Sequence, residues 1–509
     1  MEQILILDFG SQYTRLIAKA IRELGVYCEV VPPEITACEV EQQKSVGLVL
    51  SGGPRSVYEK DAPKLDPQIY NLNIPILGIC YGMQILAKDF GGVVSKKAQG
   101  EYGLSTMHIT KRDKLFQGLN KEEQVWMSHG DSIERLPPDF ILLAQSSNKG
   151  CAPSAAAMRS QDGKIYGLQF HPEVYHTSCG KQILKNWLFE ICKVKERWRP
   201  GDLLEEKIRE LQAALKNKRC IVAVSGGVDS STAAVLVHRA IGERLIPVFV
   251  DTSLLRAGEP QRVKKLFEKL GIKLRIVDAQ DRFLAALKGV MDPEEKRKRV
   301  GAEFIKVFEE EARKLERELG KIDVLVQGTI YSDVIESGCT ARAGASYAEK
   351  IKSHHNVGGL PQKLNFEIVE PLRMFFKDEV RVLAAKLGIP DEIIFEQPFP
   401  GPGLAVRILG EVTKERISTL QHIDLIMREE IQGAGLKAKV WQYFPVLLPI
   451  RSVAIMGDGR GYGNVVALRA VHSIDGMTAD WAKIPYEILE KISGRITNEV
   501  SGITRVVLY

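Results

Sequence analysis

The sequence lacks the features of a membrane or secreted protein. It has no continuous apolar run of the ~20 residues that a helix needs to span a bilayer. An apolar stretch begins at Gln3 with no basic region before it, which argues against a signal peptide. Its eight cysteines are scattered, without the paired spacing of a metal site or a disulfide framework. We therefore expect a protein of the reducing cytoplasm that does not bind a membrane.

A strong excess of charge of one sign is also missing. The formal net charge is +6 in 509 residues, whereas a nucleic-acid partner needs a concentrated basic face. We therefore expect the partners of this protein to be anionic small molecules and not nucleic acid. The basic run 296–299 lies in a predicted charged helix, 293–319, and is more simply explained as part of a solvated face. At about 150 residues per domain, the length predicts three domains.

A glycine-rich segment, 225–231, lies between a strand-like run, 220–224, and a helix-like run, 232–237. Adjacent glycines let the backbone turn sharply, and N–H groups of the loop and of the helix N-terminus would face one anion. An ordinary Gly-Gly turn is the simpler alternative. No Gly-Lys-[Ser/Thr] ending is present, which excludes the common P-loop. The sequence resembles the signature of the ATP pyrophosphatase family, which cleaves ATP between its α- and β-phosphates. We expect ATP to contact Ser225, Gly226, Gly227, Val228, Asp229, Ser230 and Ser231.

A second glycine-rich turn surrounds Cys80. Gly78 and Gly82 stand two positions before and after this cysteine, at the end of the strand-like run 75–79, and this is the spacing of a nucleophile elbow. Such a turn exposes its central side chain at the carboxyl edge of a sheet, next to a helix N-terminus whose dipole favours a thiolate. A lone cysteine is usually a buried apolar residue, and this is our interpretation of the other seven.

A base for this thiol follows another predicted strand, 164–170. His171 stands at the carboxyl end of that strand, where ligands of α/β sheets lie. Pro172 stiffens the turn, and Glu173 can hold the imidazole in place. We therefore predict a triad in which Cys80 is the nucleophile, His171 the base and Glu173 the orienting group.

The loop 50–54 is a further glycine-rich turn after a strand. The backbone N–H groups of Gly53 and Tyr81 are candidates for an oxyanion hole. Together, Gly-Ile-Cys-Tyr-Gly-Met-Gln, Ser-Gly-Gly-Pro and Phe-His-Pro-Glu resemble class I glutamine amidotransferases over residues 2–192. The resemblance implies that Cys80 attacks the side-chain amide of glutamine and that ammonia is released. It also implies a glutamine pocket formed by Gln84, Ser128, His129 and Asp131.

The second part of the chain is expected to use this ammonia. Residues 193–201 are charged and end in Pro-Gly, so we predict a linker there, followed by an ATP pyrophosphatase domain over 202–390. Asp251 ends a predicted strand and should face the nucleotide. Lys377 begins a predicted helix and can bring a cation to the phosphates. Mg²⁺ is expected with the polyphosphate, aided by Asp229.

Three further segments have motif character: Gln-Gly-Thr-Ile-Tyr, Lys-Ser-His-His-Asn-Val-Gly-Gly-Leu and Phe-Lys-Asp-Glu-Val-Arg. The histidine pair in the second of them, 352–360, lacks partners at metal-ligand spacing, and we predict a mobile lid with glycine hinges. With these segments the whole chain resembles glutamine-hydrolysing GMP synthetases. The resemblance implies that Arg407, in a Pro/Gly-rich loop, lies by the site of xanthosine monophosphate. It also implies that residues 391–509 form a small substrate-binding and dimerisation domain.

The expected fold is therefore α/β, with two doubly wound parallel-sheet domains and a small C-terminal α+β domain. The family resemblance implies a homodimeric ligase of GMP and purine biosynthesis whose substrates are glutamine, xanthosine monophosphate and ATP. Ammonia from glutamine would displace AMP from an adenylated xanthosine monophosphate, after pyrophosphate has left. ATP and Mg²⁺ are the expected cofactors.

Two alternatives remain. An NAD synthetase shares the adenylating chemistry, but its glutaminase is nitrilase-like, which the elbow at Cys80 argues against. The family's usual tail, of the Lys-Pro-Pro-Gly-Thr-Ile-Glu-Trp-Glu type, does not follow Arg505–Tyr509. A regulatory or binding homologue with impaired ligase activity is therefore the second alternative.

Overall fold

Short apolar runs form the strands of three sheets in the computed structural model. The model describes residues 2–147, 153–338, 366–437, 439–456, 459–472 and 480–509. The predicted lid, 352–360, lies outside these ranges. Contacts divide the chain between Arg199 and Pro200 into two units, with residues 335–338 grouped with the first. No helix in the described ranges has the length and apolar character needed to cross a bilayer.

The first unit contains one nine-stranded sheet. Its strands are β1 (Gln3–Leu7), β2 (Cys28–Val31), β3 (Ser45–Leu50), β4 (Ile76–Ile79), β5 (Val93–Ile109), β6 (Glu122–Arg135), β7 (Phe140–Ser147), β8 (Ser154–Ser160) and β9 (Ile165–Leu168). The spatial order is β2-β1-β3-β4-β9-β8-β7-β5-β6. The accompanying α-helices are Thr14–Glu23, Ala37–Gln42, Tyr81–Asp89 and Gly180–Asn186. Short helical turns cover Pro67–Leu72, Lys114–Phe116 and Trp187–Ile191.

Only half of this sheet is parallel. Strands β2, β1, β3, β4 and β9 pair in parallel, and β1 and β4 are almost completely buried, as expected of a sheet covered on both faces. Strands β8, β7, β5 and β6 pair antiparallel. The α/β prediction is confirmed, and the antiparallel extension is an addition to it.

The second unit begins with a five-stranded sheet in which every pair is parallel. Its strands are β10 (Cys220–Ala223), β11 (Leu245–Asp251), β12 (Arg275–Asp278), β13 (Val324–Val326) and β14 (Glu367–Val369), in the order β12-β11-β10-β13-β14. The α-helices that follow Arg199 in the chain are Leu204–Leu215, Val228–Ile241, Glu259–Lys269, Gln280–Leu287, Pro293–Leu319, Tyr331–Gly338, Lys377–Lys386, Asp391–Ile394, Lys414–Gly433 and Tyr486–Glu499. Of these, Tyr331–Gly338 contains the residues 335–338 that are grouped with the first unit. Short 3₁₀ turns cover Pro200–Leu203, Gly242–Arg244 and Gly403–Arg407.

A smaller sheet follows in the same unit. It contains β15 (Gln442–Met456), β16 (Gly459–His472), β17 (Asp480–Trp481) and β18 (Ile503–Leu508). The first three strands pair antiparallel, and β18 pairs in parallel with β16. One apolar core runs from Ile221 and Leu325 in the parallel sheet to Leu420 and Val466 in the C-terminal region. The predicted second and third domains therefore share a core.

The predicted linker, 193–201, is packed at both ends. Trp198 is buried, its N–H donates to the Gly25 carbonyl at 2.8 Å, and its ring lies 4.7 Å from that of Tyr27. On the other side of the division, Lys386 Nζ donates to the Gly201 carbonyl at 2.8 Å. Each end of the segment is thus held by its own unit.

Candidate functional site

The nucleophile elbow forms where β4 ends and the helix Tyr81–Asp89 begins. Cys80 has φ 54° and ψ −103°, a strained conformation for a residue other than glycine. A Cβ on Gly82 would overlap the carbonyl of Leu50, and one on Gly78 would overlap the backbone of Gly82. The two glycines are therefore required by close backbone approach. The thiol is 3.7 Å from the carbonyl oxygen of Ser128.

His171 and Glu173 lie beside this thiol. His171 Nδ1 is 2.7 Å from Glu173 Oε1, and both side chains are almost completely buried. Burial opposes a charged imidazole, but the Glu173 charge and hydrogen bonds with Cys80 and Glu173 outweigh it and raise the pKa of His171 well above its usual value. The structure thus brings the three predicted triad residues together, with the polarity that a thiol nucleophile and its base require.

The loop after β3 packs against the elbow. The Ser51 carbonyl accepts a hydrogen bond from the Gly82 N–H at 3.1 Å, and Ser51 Oγ accepts one from the Phe9 N–H at 3.0 Å. A Cβ on Gly53 would lie 3.2 Å from the Tyr81 ring. Tyr81 is the first residue of its helix, where backbone N–H groups lack a partner within the helix. Gly53 and Tyr81 are therefore neighbours on the face that also carries the thiol.

The predicted glutamine-pocket residues meet at one segment of β6, residues 128–131, which the helix Tyr81–Asp89 reaches through Gln84. Gln84 Nε2 donates to the carbonyl oxygen of Asp131 at 2.8 Å, and His129 Nδ1 lies 2.9 Å from the same oxygen. Gln84 and His129 are buried. Ser128 carries the carbonyl that the Cys80 thiol contacts. Two of the four side chains therefore hold the backbone of this β6 segment.

The predicted phosphate loop is a tight, internally bonded turn after β10. The Ser225 N–H donates to Ser230 Oγ at 3.1 Å, and the two hydroxyls lie 2.9 Å apart. Gly226 has φ +84°, and a Cβ there would lie 2.8 Å from Val263 Cγ2. Gly227 is the N-cap of the helix Val228–Ile241. The loop thus ends at a helix N-terminus, which attracts anions.

Asp229 and Lys377 come together at this loop. Lys377 Nζ is 3.3 Å from Asp229 Oδ2. The other oxygen, Oδ1, is buried and has no hydrogen-bond partner within the described part of the chain. A carboxylate oxygen of this kind fits a hard cation such as Mg²⁺. In the described ranges no group of three or more His, Cys, Asp or Glu residues is placed to hold a metal. The protein side chains would therefore supply few of the ligands.

Asp251 ends the strand next to β10. Its two carboxylate oxygens accept hydrogen bonds from the Ser253 N–H and from Gln280 Nε2, each at 3.1 Å. Strands β10 and β11 are parallel neighbours, so Asp251 lies at the sheet edge from which the phosphate loop emerges. The structure therefore places it near the loop with its carboxylate oriented by internal bonds.

Comparison with known proteins covers the whole chain. A family model described as glutamine amidotransferase class-I matches residues 5–191, one described as NAD synthase matches 201–309, and one described as GMP synthase C terminal domain matches 429–509. A relative from Thermosipho africanus, named a glutamine-hydrolyzing GMP synthase, is 53% identical over 507 residues, which are 100% of this chain and 97% of that protein. This chain belongs to the glutamine-hydrolysing GMP synthase family.

Two more relatives of that name agree. The protein from Thermosynechococcus vestitus is 53% identical over 508 residues, 99% of this chain and 94% of that protein. The one from Clostridium tetani is 51% identical over 507 residues, 99% of this chain and 97% of that protein. The GMP synthase family therefore accounts for both glycine-rich turns and for the region that joins them.

For a GMP synthase, Arg407 is the predicted acceptor contact. Its side chain is 3% exposed, its guanidinium lies 4.2 Å from the ring centre of Phe444, and Nη1 is 3.8 Å from Asp424 Oδ1. Burial, with the Arg256 charge, lowers the pKa of Arg407 to about 10. The guanidinium is thus directed into the core behind the Pro/Gly-rich loop, and its acceptor role stays a prediction.

One charged residue of this synthase is placed differently from the sequence-based interpretation. The solvated-face interpretation of the basic run 296–299 is wrong at Lys296, which is completely buried. Its Nζ donates to the carbonyls of Ile408 and Gly410 at 2.6 and 2.5 Å, and burial lowers the pKa of Lys296 to about 8. The available signal was helical spacing, since Val300, four residues on, is also buried.

Proposed function

We propose that this chain makes GMP from xanthosine monophosphate, using ammonia from glutamine and ATP that is cleaved to AMP and pyrophosphate. The observation that carries the proposal is that one chain holds both a buried arrangement of Cys80, His171 and Glu173 and a lysine-free phosphate loop at 225–231. A binding homologue would need neither. Similarity to named synthases over almost their full length also favours the ligase over the regulatory alternative.

Glutamine hydrolysis would take place in the first unit. Cys80 Sγ attacks the side-chain carbonyl carbon of glutamine while His171 takes the thiol proton. The N–H groups of Gly53 and Tyr81 stabilise the oxyanion. His171 gives the proton to the departing nitrogen, which leaves as ammonia, and water then hydrolyses the thioester to glutamate. Glu173 orients the imidazole and stabilises its charge.

Adenylation would take place in the second unit. The 2-oxygen of xanthosine monophosphate attacks the α-phosphorus of ATP, and pyrophosphate leaves. Ammonia then displaces AMP, which is a far better leaving group than a carbonyl oxygen. The N–H groups of the phosphate loop and the Lys377 cation balance the charge on the departing pyrophosphate. Asp251 lines the nucleotide cleft, and Arg407 supports the acceptor loop.

We also propose Mg²⁺ as the companion of ATP, with Asp229 as its protein ligand. Support comes from the buried Oδ1 of this carboxylate, which has no hydrogen-bond partner among the residues that the structure describes. Mg²⁺ is commonly held by one or two carboxylates together with phosphate oxygens. The ion would neutralise part of the phosphate charge when bound.

A cytoplasmic homodimer is proposed as well. The described cysteines are all free, as in a reducing compartment. On the C-terminal sheet the cross-strand partners Val453 and Tyr462 are 45% and 63% exposed. Exposed apolar side chains that adjoin one another are typical of an interface. Light scattering should give twice the mass of one chain, and substitution of Tyr462 by Lys should lower it.

The ligase proposal is tested by incubating the purified chain with glutamine, ATP, Mg²⁺ and a high concentration of xanthosine monophosphate. GMP and pyrophosphate should appear in equal amounts, and omission of any substrate should abolish the sustained formation of both. Absence of both products at saturating acceptor would contradict the proposal. Release of glutamate without GMP would leave the glutaminase half standing and reject the ligase half.

A further inference from the structure

A second buried carboxylate lies close to the glutamine site. Glu101, on β5, is 2% exposed. Ser154 Oγ donates to its Oε1 at 2.5 Å, and Ser146 Oγ donates to its Oε2 at 3.0 Å. The two hydroxyls lie 2.7 Å apart. Because Ser146 lies on β7, next to β5, and Ser154 lies on β8, one strand further, this carboxylate joins β5, β7 and β8.

Glu101 faces His129 across the β5–β6 pair. The two residues are register partners, Oε2 lies 3.9 Å from Nε2, and both side chains are 2% exposed. His129 Nδ1 faces the carbonyl oxygen of Asp131 at 2.9 Å, so it must carry a proton to bond there. The arrangement thus orients the ring between Glu101 and Asp131.

The His129 ring is connected to the Cys80 thiol through the backbone of β6. The Asp131 carbonyl that faces His129 also accepts the hydrogen bond from Gln84. Three residues earlier, the Ser128 carbonyl contacts the Cys80 thiol. The β6 segment that carries both carbonyls is therefore fixed partly through the His129 ring.

An irregularity in β5 sets the position of the carboxylate. The register of β5 and β6 shifts between Lys96 and Glu101, as in a large bulge. A Cβ on Gly100 would lie 2.7 Å from the His129 carbonyl, so the strands approach closely there. Irregularities of this kind re-aim side chains and occur often beside active sites.

We propose that Glu101 is a positioning residue for glutamine hydrolysis. It holds His129 in the orientation that fixes the β6 segment 128–131, so that glutamine binds productively beside Cys80. This inference rests on the proposed glutaminase function. It requires that loss of the carboxylate weakens glutamine binding without disabling the thiol.

The test is Glu101→Gln, which keeps the size of the side chain and removes its charge. A matched control is Glu122→Gln, because Glu122 and His108 form another cross-strand Glu–His pair on the same two strands, 3.3 Å apart and exposed. The readouts are KM and kcat for glutamine hydrolysis, the rate at which iodoacetamide alkylates Cys80, and ammonia-driven GMP synthesis.

Glu101→Gln should raise KM for glutamine about tenfold, the order expected for one lost charge-assisted interaction. We expect kcat, the alkylation rate and ammonia-driven synthesis to stay within about threefold of the parent. Glu101→Asp should have a KM between those of the parent and Glu101→Gln. Glu122→Gln should have the KM of the parent. An unchanged KM in Glu101→Gln overturns the proposal. A rise in KM that is accompanied by a large loss of kcat and of the alkylation rate also overturns it, because Glu101 would then have a general structural role in the sheet.

Ser154→Ala is the second variant, in case Glu101→Gln does not fold. It removes one donor to the carboxylate and should raise KM for glutamine about threefold. An unchanged KM in that variant also overturns the proposal. If the unsubstituted chain hydrolyses no glutamine, the proposed glutaminase function itself fails. That result is distinct from active parent enzyme with an insensitive Glu101.

Discussion

The two glycine-rich turns of this chain solve different problems. At the elbow the strained residue is Cys80 itself, and glycines flank it because other backbone segments cross there. In the phosphate loop the positive φ falls on Gly226, which adopts it without strain. The thiol, imidazole and carboxylate of the first site bond one another. In the second site Asp229 Oδ1 and Ser231 Oγ are buried without partners in the described chain, whereas among the side-chain nitrogen and oxygen atoms of the triad this holds for Glu173 Oε2 alone.

The difference indicates how each site reaches its working state. Strain at one residue costs on the order of 1–3 kcal/mol and persists only where the surroundings impose it. The packed elbow supplies such surroundings, so the glutaminase site is assembled by folding. A buried polar atom without a partner costs a comparable amount, and a bound ligand can remove that cost. We therefore interpret the phosphate loop as a site that ATP completes.

Loss of the thiol should give the largest effect, and it should disable the first site without affecting the second. Cys80→Ala should reduce glutamine-driven GMP synthesis by about 10⁴-fold or more, since the nucleophile is gone. Ammonia-driven synthesis should stay within about twofold, because the second unit is unaltered. Cys38→Ala, at an exposed thiol, is the control. Equal loss with both nitrogen sources would reject the division of labour.

A substitution in the phosphate loop should instead disable the second site and leave the first intact. Gly226→Ala forces a left-handed φ on alanine, and its Cβ would lie 2.8 Å from Val263. Displacement of the loop should reduce ammonia-driven synthesis about 10²-fold, while glutamine hydrolysis persists. Gly242→Ala, at the far end of the same helix, has φ +61° but open space. It should keep synthesis within about twofold, and similar losses in both variants would mean that strain alone matters.

A substitution of Lys377 tests the interpretation that bound ATP completes the phosphate-loop site. Lys377→Met should raise KM for ATP about tenfold, as expected for loss of one charged contact to phosphate. Its side chain is 42% exposed in the ion pair with Asp229. Such a pair should contribute little to folding, so the melting temperature should hardly change. Arg381→Met, on the same helix and bonded to Asp378, should leave KM unchanged. A large fall in melting temperature with normal KM would contradict this interpretation.

Glu173→Gln tests how far the first site depends on its internal charges. Glu173 raises the pKa of His171, so its loss should lower that pKa. The limb of the pH–rate profile that belongs to His171 should then move to lower pH. Glutamate release from pH 5 to 10 measures the shift, with Glu190→Gln as an exposed control. A profile that moves to higher pH would show that another group titrates.

Much of both turns was predictable from the sequence, because local signals specify them. The glycines around Cys80 and the Gly226–Gly227 pair follow apolar strands, and such strands end at a common edge. The helices Pro293–Leu319 and Lys377–Lys386 begin at the predicted residues. His171 also follows from its position after a buried strand.

Features that depend on distant partners were not predictable. The antiparallel strands of the first sheet are set by pairing between segments that periodicity alone does not match. Glu101 gains its surroundings from serines about 45 and 53 residues later. Lys296 finds its carbonyl partners 112 and 114 residues away. The side chains of Glu101 and Lys296 are placed by tertiary packing, which overrides the usual preference of charged groups for solvent.

The packed ends of the segment between the units have a practical consequence for protein engineering. Trp198 stays with the first unit through Tyr27 and Gly25, and Gly201 stays with the second through Lys386. A gene divided after the codon for Arg199 would therefore sever the peptide without stripping either fragment of its anchoring side chains. A division before Trp198, in contrast, would carry a large indole into the wrong fragment and uncover apolar surface on the one left behind.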